Sequence, residues 1–283
     1  MFTNLHKYTS KIQDTLFVIV LYRCSLEESK AYQALSRSGS GVEKEDIYVH
    51  DNSVDNLYLA KAYNKALKEA KRRGKKRLVL LDQDTEVTEE YLKAISLIHT
   101  DDGHTIWVPE LVNEKGKRIS PYGYKSNFGP WWNKHMRPKK DDRVIGFNSG
   151  MVLGVNQLEC IGGFNEEYPL DYLDFDTCKR LEDKGVAISE LGVRMTHHLS
   201  VQDPHKYVSF ERYEILLAAE RRFAQSLGKS AEKAYRCRLF LRAVRWTITR
   251  HKWWKETWMA LRKKEYIKIY EKVRRHYPYC TPK

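Results

Sequence analysis

The first 203 residues predict an α/β fold, a mostly parallel sheet flanked by helices, followed by a basic, aromatic-rich helical region. Three observations carry that expectation. Short apolar runs alternate with segments of helical spacing. Three of these runs end in polar clusters, where parallel sheets bind ligands. After Asp203-Pro204 the alternation stops and helical patterns take over.

Leu16–Leu21 is a continuous apolar run, the composition of a strand buried on both faces. Tyr22 to Ser25 follows as a loop. Ser25, with Glu27 and Glu28 behind it, predicts the N-cap of a helix running to about Leu35. Asp46–His50 is a second strand, and Asp51-Asn52-Ser53 a polar turn. From Asn56 to about Arg73, Leu59, Ala62, Tyr63, Ala66 and Leu67 recur at helical spacing, and Gly74 stops the pattern.

Arg77–Thr85 is the most informative stretch. Leu78–Leu81 predicts a buried strand that ends in Asp82 and Asp84, and alternation puts both carboxylates on one side. Two adjacent carboxylates at a strand end are costly without a positive partner. A divalent cation carrying phosphates satisfies them. A helix from Thr88-Glu89-Glu90 to about His99 comes next, then a strand at Thr105–Val108 and a hairpin turn at Asn113–Lys117.

Pro121–Lys140 is rich in Gly, Pro, Trp, Asn and Lys, and a loop of that length is usually functional. Within it, Trp131 and Trp132 either stack on a sugar face or cover the core. Asn148-Ser149-Gly150 leads into the apolar Met151–Leu153, and Ile161–Asn165 is a glycine turn. Asp171, Asp174 and Asp176 open a predicted helix through about Asp183, more carboxylates than a cap requires. Val186–Ser189 is a strand. Met195–His198 ends a further extended segment in a histidine pair suited to a metal or phosphate.

Of the 283 residues 42% are hydrophobic, which suits one large domain with an appended module. No apolar run approaches the length of a membrane span, and Met1–Thr15 lacks a signal-peptide core. Five scattered cysteines without a Cys-x-x-Cys pair point to thiols in a reducing cytoplasm, not to a disulfide or zinc framework. The net charge of +13 is lopsided. Residues 204–283 hold 21 Lys/Arg against 7 Asp/Glu, while the first 203 hold 29 against 30. We therefore divide the chain at 1–203 and 204–283. The second part, with Trp246, Trp253, Trp254 and Trp258 among its basic residues, is expected to lie on an anionic membrane at the inner face of the cell.

In this order the motifs resemble an inverting glycosyltransferase of family 2 with the GT-A fold, and most of all bacterial rhamnosyltransferase-like enzymes. The stretches that carry the resemblance are Val18–Tyr22, Asp51–Ser53, Asn56–Asn64, Leu81–Thr85, Asn148–Gly150, Gly162–Asn165 and Asp171–Arg180. It covers about residues 15–203. It implies a nucleoside diphosphate sugar donor, Mn²⁺ or Mg²⁺ as cofactor, and a saccharide or lipid-linked saccharide acceptor in surface polysaccharide synthesis. Tyr22, Asp51, Asn52, Asn56, Asp82 and Gln83 would bind the nucleotide sugar. Asp84 would hold the metal, with His197 favoured over His198 as the late histidine. Asp174 would be the catalytic base. Asn148, Ser149, Gly150, Trp131, Trp132, Asp171 and Asp176 would line the acceptor and diphosphate region. Because Leu173 stands where the family often has Glu, the three aspartates compete for the base.

Two other functions share parts of this pattern. A haloacid-dehalogenase-like phosphatase also ends an apolar strand in Asp-x-Asp. Its motif, however, wants Thr or Val where Glu86 stands, and it occupies the first strand. A nucleic-acid-binding protein would use the basic tail, but no recognition signature accompanies the charge.

Overall fold

The computed structural model describes residues 12–53, 55–98, 103–197 and 209–262. His198, the end of the helix expected to reach His99, and the tail beyond Arg262 lie outside the described residues. The chain forms two compact units. The first comprises Met1–Pro121, Ile145–Glu166 and Leu173–His198, and the second Tyr122–Val144, Glu167–Tyr172 and Leu199–Lys283. The helical region thus claims two inserts that a division at residue 203 leaves with the α/β part.

The first unit opens with β1 (Thr15–Leu21), which is buried at every position. Filling it with Val, Ile, Leu and Phe puts it at the middle of a sheet, where each such side chain contributes about 1.5–3 kcal/mol by leaving water. Helix α1 (Lys30–Leu35) follows. It starts later than expected. Ser29, not Ser25, is the N-cap, accepting from the Tyr32 amide and donating to the Gln83 carbonyl at 2.9 Å. Ser25 and Glu28 cap only a turn, because the tertiary bond to Gln83 fixes where the helix begins.

Strand β2 (Ile47–Asp51) leads to helix α2 (Tyr58–Arg72), whose buried face is Ala62, Tyr63, Ala66, Leu67 and Ala70. Strand β3 (Arg77–Asp82) is followed by helix α3 (Glu89–Leu97), capped by the Thr88 side chain with Glu89 and Glu90 in its first turn. Strands β4 (Thr105–Val112) and β5 (Arg118–Ser120) flank the turn expected at Asn113–Lys117. Strands β6 (Tyr122–Tyr124) and β7 (Arg143–Ile145) form a small sheet of their own, which belongs to the second unit except for Ile145. Strand β8 (Met151–Gly154), helix α4 (Val155–Cys160), helix α5 (Leu173–Glu182) and strand β9 (Ala187–Thr196) complete the first unit. The extended segments expected around 186–189 and 195 are one continuous strand.

The large sheet runs β2-β1-β3-β8-β4-β5, with β9 also paired to β4. Strands β2, β1 and β3 are mutually parallel, and β9 is parallel to β4. Strand β8 is antiparallel to both β3 and β4, so β4 and β9 point the same way as β3. This is the mixed, mostly parallel sheet flanked by helices that the sequence predicts.

The second unit holds helices α6 (Phe210–Ser226), α7 (Lys229–Ile248) and α8 (Trp254–Arg262). Its core joins Tyr213, Leu217, Ala224, Tyr235 and Leu239, with Trp131, Trp246 and Trp253 packed against them. Glu220 and Arg242 form a buried two-pronged ion pair between α6 and α7, at 2.8 and 3.0 Å. Among the described residues no helix is long and apolar enough to cross a membrane.

Candidate active site

Strand register puts the ends of β1, β2 and β3 level. Leu21 lies opposite Asp51, and Val20 opposite Asp82. Side chains then tie the three following loops together. The Gln83 amide accepts from the Tyr22 amide nitrogen at 2.8 Å and donates to the Tyr22 carbonyl at 3.4 Å. The Ser53 hydroxyl accepts from the Arg23 backbone at 3.0 Å. Asp51 turns back on the Ser53 backbone at 2.7 Å, and the hydrogen bonds from Ser53 hold its carboxyl below the usual carboxylate range.

Asn52 is 3% exposed, and both the oxygen and the nitrogen of its amide are hydrogen-bonded. It accepts from Leu57 N at 3.1 Å and donates to the Tyr58 carbonyl at 3.3 Å, fixing the entry to α2. Asn56 caps the same entry through Tyr58 N at 3.0 Å. Of the six residues expected to bind nucleotide, Asn52, Asn56 and Gln83 thus shape the loops, while Tyr22 and Asp51 present exposed surface.

Because β8 is antiparallel to β3, with Met151 opposite Leu80, Asn148-Ser149-Gly150 arrives at this same edge. Gly150 has φ +76°, and a Cβ there would meet Pro109 at 2.8 Å and Met195 at 3.1 Å, so only glycine fits the approach. Its amide bonds Leu80 O at 2.7 Å, and its carbonyl accepts from the buried Tyr91 hydroxyl at 2.7 Å. Held this way, the Ser149 hydroxyl donates to Asp82 Oδ2 and lies 3.1 Å from His197 Nδ1. His197 follows the last residue of β9, and its Nδ1 is 3.7 Å from Asp82 Oδ2. Burial raises the Asp82 carboxyl above its ordinary value, while His197 and the Ser149 hydrogen bond pull the other way. Asp84 stands exposed two residues further on.

The three competing aspartates separate clearly. Asp171 does not open a helix; it belongs to the second unit, where Arg212 meets it at 3.4 Å. Asp176 is 5% exposed, paired with Arg180 at 2.6 Å and bonded by Asn165 at 3.4 Å. Burial raises its carboxyl above the ordinary value, against the opposing pull of Arg180. Its place is in joining α5 to the glycine turn, since Arg180 also bonds Ile161 O. Asp174 is half-buried in the first turn of α5, with Oδ1 accepting from Phe175 N at 2.9 Å. Phe175 stacks on Phe147, the residue before Asn148, with ring centroids 6.4 Å apart.

Sequence reasoning missed what links these parts. The Tyr63 hydroxyl is buried, and the phenol is held well above its ordinary pKa by burial and by the charges of both Asp82 and Asp174. The neighbouring Asn64 clasps Phe164, accepting from its amide at 2.8 Å and donating to its carbonyl at 2.9 Å. Gly163, with φ +79°, leaves room for that clasp. The helical pattern marks Tyr63 as core, and only the hydroxyl distinguishes it from a phenylalanine.

In the second unit, Trp131 packs on Tyr235 and Phe223 and donates to the Tyr172 hydroxyl at 2.9 Å. Trp132 donates to Ala234 O at 3.0 Å. Of the two alternatives for this pair, these contacts are those of packing.

The donor set bears on a metal. Among the described residues no three His, Cys, Asp or Glu side chains are grouped to hold a cation. The exposed Asp84 and the half-buried Asp82, two residues apart at one strand end, are instead a pair of carboxylates that a Mg²⁺- or Mn²⁺-type cation would share with phosphates and water.

No family model matches the chain. It is 23% identical over 144 residues to the dTDP-rhamnosyl transferase RfbF of Shigella flexneri, a match covering 49% of this chain and 48% of that protein. The chain therefore aligns with about half the length of this relative. A structure of GalNAc-T7 with UDP, GalNAc and Mn²⁺ superposes over 93% of this chain and 58% of its own, with 15% identity and a TM-score of 0.44, a likeness too low to argue from. The curated relative agrees with the resemblance drawn from the motifs, that of a family-2-like glycosyltransferase.

Proposed function

We propose that the protein is an inverting glycosyltransferase that moves a sugar from a nucleoside diphosphate sugar to a saccharide or lipid-linked saccharide acceptor in surface polysaccharide synthesis. The observation that carries this reading is the Asp82–Ser149–His197 cluster at the level ends of three parallel strands. The resemblance and the curated relative favour deoxythymidine diphosphate rhamnose as donor.

The exposed faces of Tyr22 and Asp51 receive the nucleoside, on loops stiffened by Gln83, Asn52 and Ser53. Asp84 would hold Mg²⁺ or Mn²⁺ together with the diphosphate, and the cation would offset charge growing on the leaving group. Asp174 accepts the proton of the acceptor hydroxyl as that oxygen attacks the anomeric carbon from the face opposite the diphosphate. One displacement inverts the centre, so no covalent sugar–protein intermediate is needed. Asn148 Oδ1, buried without a hydrogen-bond donor among the described residues, is an acceptor that a ligand hydroxyl would satisfy. Residues 204–283 would hold the protein at an anionic membrane, on the cytoplasmic side where nucleotide sugars are made.

Asp174→Asn tests the assignment of the base. Transfer should fall by at least about 10²-fold, the usual contribution of a general base. Nucleoside diphosphate binding, read by thermal shift with Mn²⁺, should persist. Near-normal turnover in that variant rules Asp174 out. A screen of nucleoside diphosphates that stabilises nothing rules out the donor site itself.

A further inference from the structure

Helix α7 is amphipathic in an unusual sense, because apolar side chains occupy both of its faces. Tyr235, Leu239 and Ala243 point into the core of the second unit. The opposite face carries Phe240, Leu241 and Ile248, which are 48%, 47% and 77% exposed, with half-buried Val244 among them. The stripe continues onto α8, where Trp258 meets Phe240 edge-on at 5.7 Å and Met259 is 47% exposed. Leaving that many large apolar groups in water forgoes their transfer free energy, which marks a contact surface.

The rim of the stripe is cationic. Arg236, Arg245, Arg250 and Lys255 are all exposed. The only acidic residues of the two helices, Glu232 and Glu256, are half-buried. A basic rim around an apolar stripe is the composition of a helix lying in the headgroup layer of an anionic bilayer. The aliphatic side chains offer nothing to a phosphate backbone or a base face. A second copy docked on the same face would bring two basic rims together.

We propose that the outer face of α7, extended by Met259 and Trp258 of α8, is the surface by which the protein lies on an anionic membrane. This rests on the membrane-side reading of residues 204–283 and is independent of the transfer chemistry. It narrows attachment from the whole basic region to one helix face, built from apolar insertion as well as charge.

The test uses the full chain and flotation with vesicles of phosphatidylcholine alone or mixed with phosphatidylglycerol. The wild-type chain should float with the anionic vesicles and stay behind with the neutral ones. Leu241→Ser with Ile248→Ser should cut the partition coefficient about tenfold or more, by removing the two aliphatic groups most open to the lipid. Arg236→Gln with Arg245→Gln should weaken binding and flatten its salt dependence. Melting temperatures within a few degrees of wild type show that the exposed substitutions leave the fold intact. If the wild-type chain ignores anionic vesicles, the membrane-side reading fails as a whole. If it floats and the serine variant floats equally, only the assignment to α7 fails. Self-association abolished by the serine pair, or polynucleotide retention in place of flotation, would replace the bilayer by another partner and overturn the proposal.

Discussion

The Ser149 hydroxyl has one proton and two polar neighbours, Asp82 Oδ2 and His197 Nδ1. Given to Asp82, that proton leaves the oxygen to accept from His197, so Nδ1 carries a hydrogen. Ser149→Ala removes both bonds. The half-buried Asp82 carboxylate then loses a donor, at about 1–3 kcal/mol, and the imidazole loses what orients it. We expect ¹⁵N NMR to find the Nδ1–H tautomer of His197 in the wild type and a shift towards Nε2–H in the alanine variant. Nucleotide affinity should fall about tenfold, and Ser149→Thr should restore it. An unchanged imidazole spectrum would dismiss the relay. Little of this was legible beforehand. Asp82 and Asp84 stand out because two carboxylates after an apolar strand break a local rule. Ser149 and Asp82 are 67 positions apart, and no local pattern connects them. The carboxylates at 171, 174 and 176 look alike in the sequence, and only Arg212 and Arg180 tell them apart.

Elements were easier to read than contacts, because periodicity and capping act within a few residues. The Val/Ile/Leu runs became β1, β3 and β8, and the cap at Thr88 marks where α3 starts. Helix α1 starts later than its local capping pattern predicts, because a distant carbonyl, Gln83 O, outweighs that pattern. The start of α2 shows the same competition resolved by Asn52. Its amide stands in for the missing turn of helix, and Tyr58 adopts φ +57° beneath it. Asn52→Ala should therefore destabilise the first unit by about 1–2 kcal/mol, the usual cost of losing a cap. Asn52→Asp keeps the bond to Leu57 N and should cost less. Urea denaturation followed by far-UV circular dichroism measures both. Equal midpoints for wild type and Asn52→Ala would return Asn52 to a purely ligand-binding role.

At the scale of the whole chain, the charge asymmetry marked a second unit but not its membership. The inserts at Tyr122–Val144 and Glu167–Tyr172 join it through contacts that no composition shift announces. Arg222 pairs with Glu167, Arg212 with Asp171, and Trp131 bonds Tyr172. Helix α6 thereby holds the six residues that lead directly into α5 and Asp174. Its own attachment to α7 centres on Glu220 and Arg242, both largely buried. Removing one member of such a pair strands the other charge, at about 3–5 kcal/mol. Glu220→Ala should accordingly loosen the second unit first. Six of the seven tryptophans lie there, with only Trp107 in the sheet, so intrinsic fluorescence reports chiefly on that unit. In Glu220→Ala the fluorescence midpoint in urea should fall well below the circular-dichroism midpoint, which the sheet and its helices dominate. Replacing both partners together, Glu220→Leu with Arg242→Met, should recover much of the loss because no buried charge is left alone. Coincident transitions in Glu220→Ala would mean that the two units unfold as one, and that the hold on the 167–172 segment is shared through the entire chain.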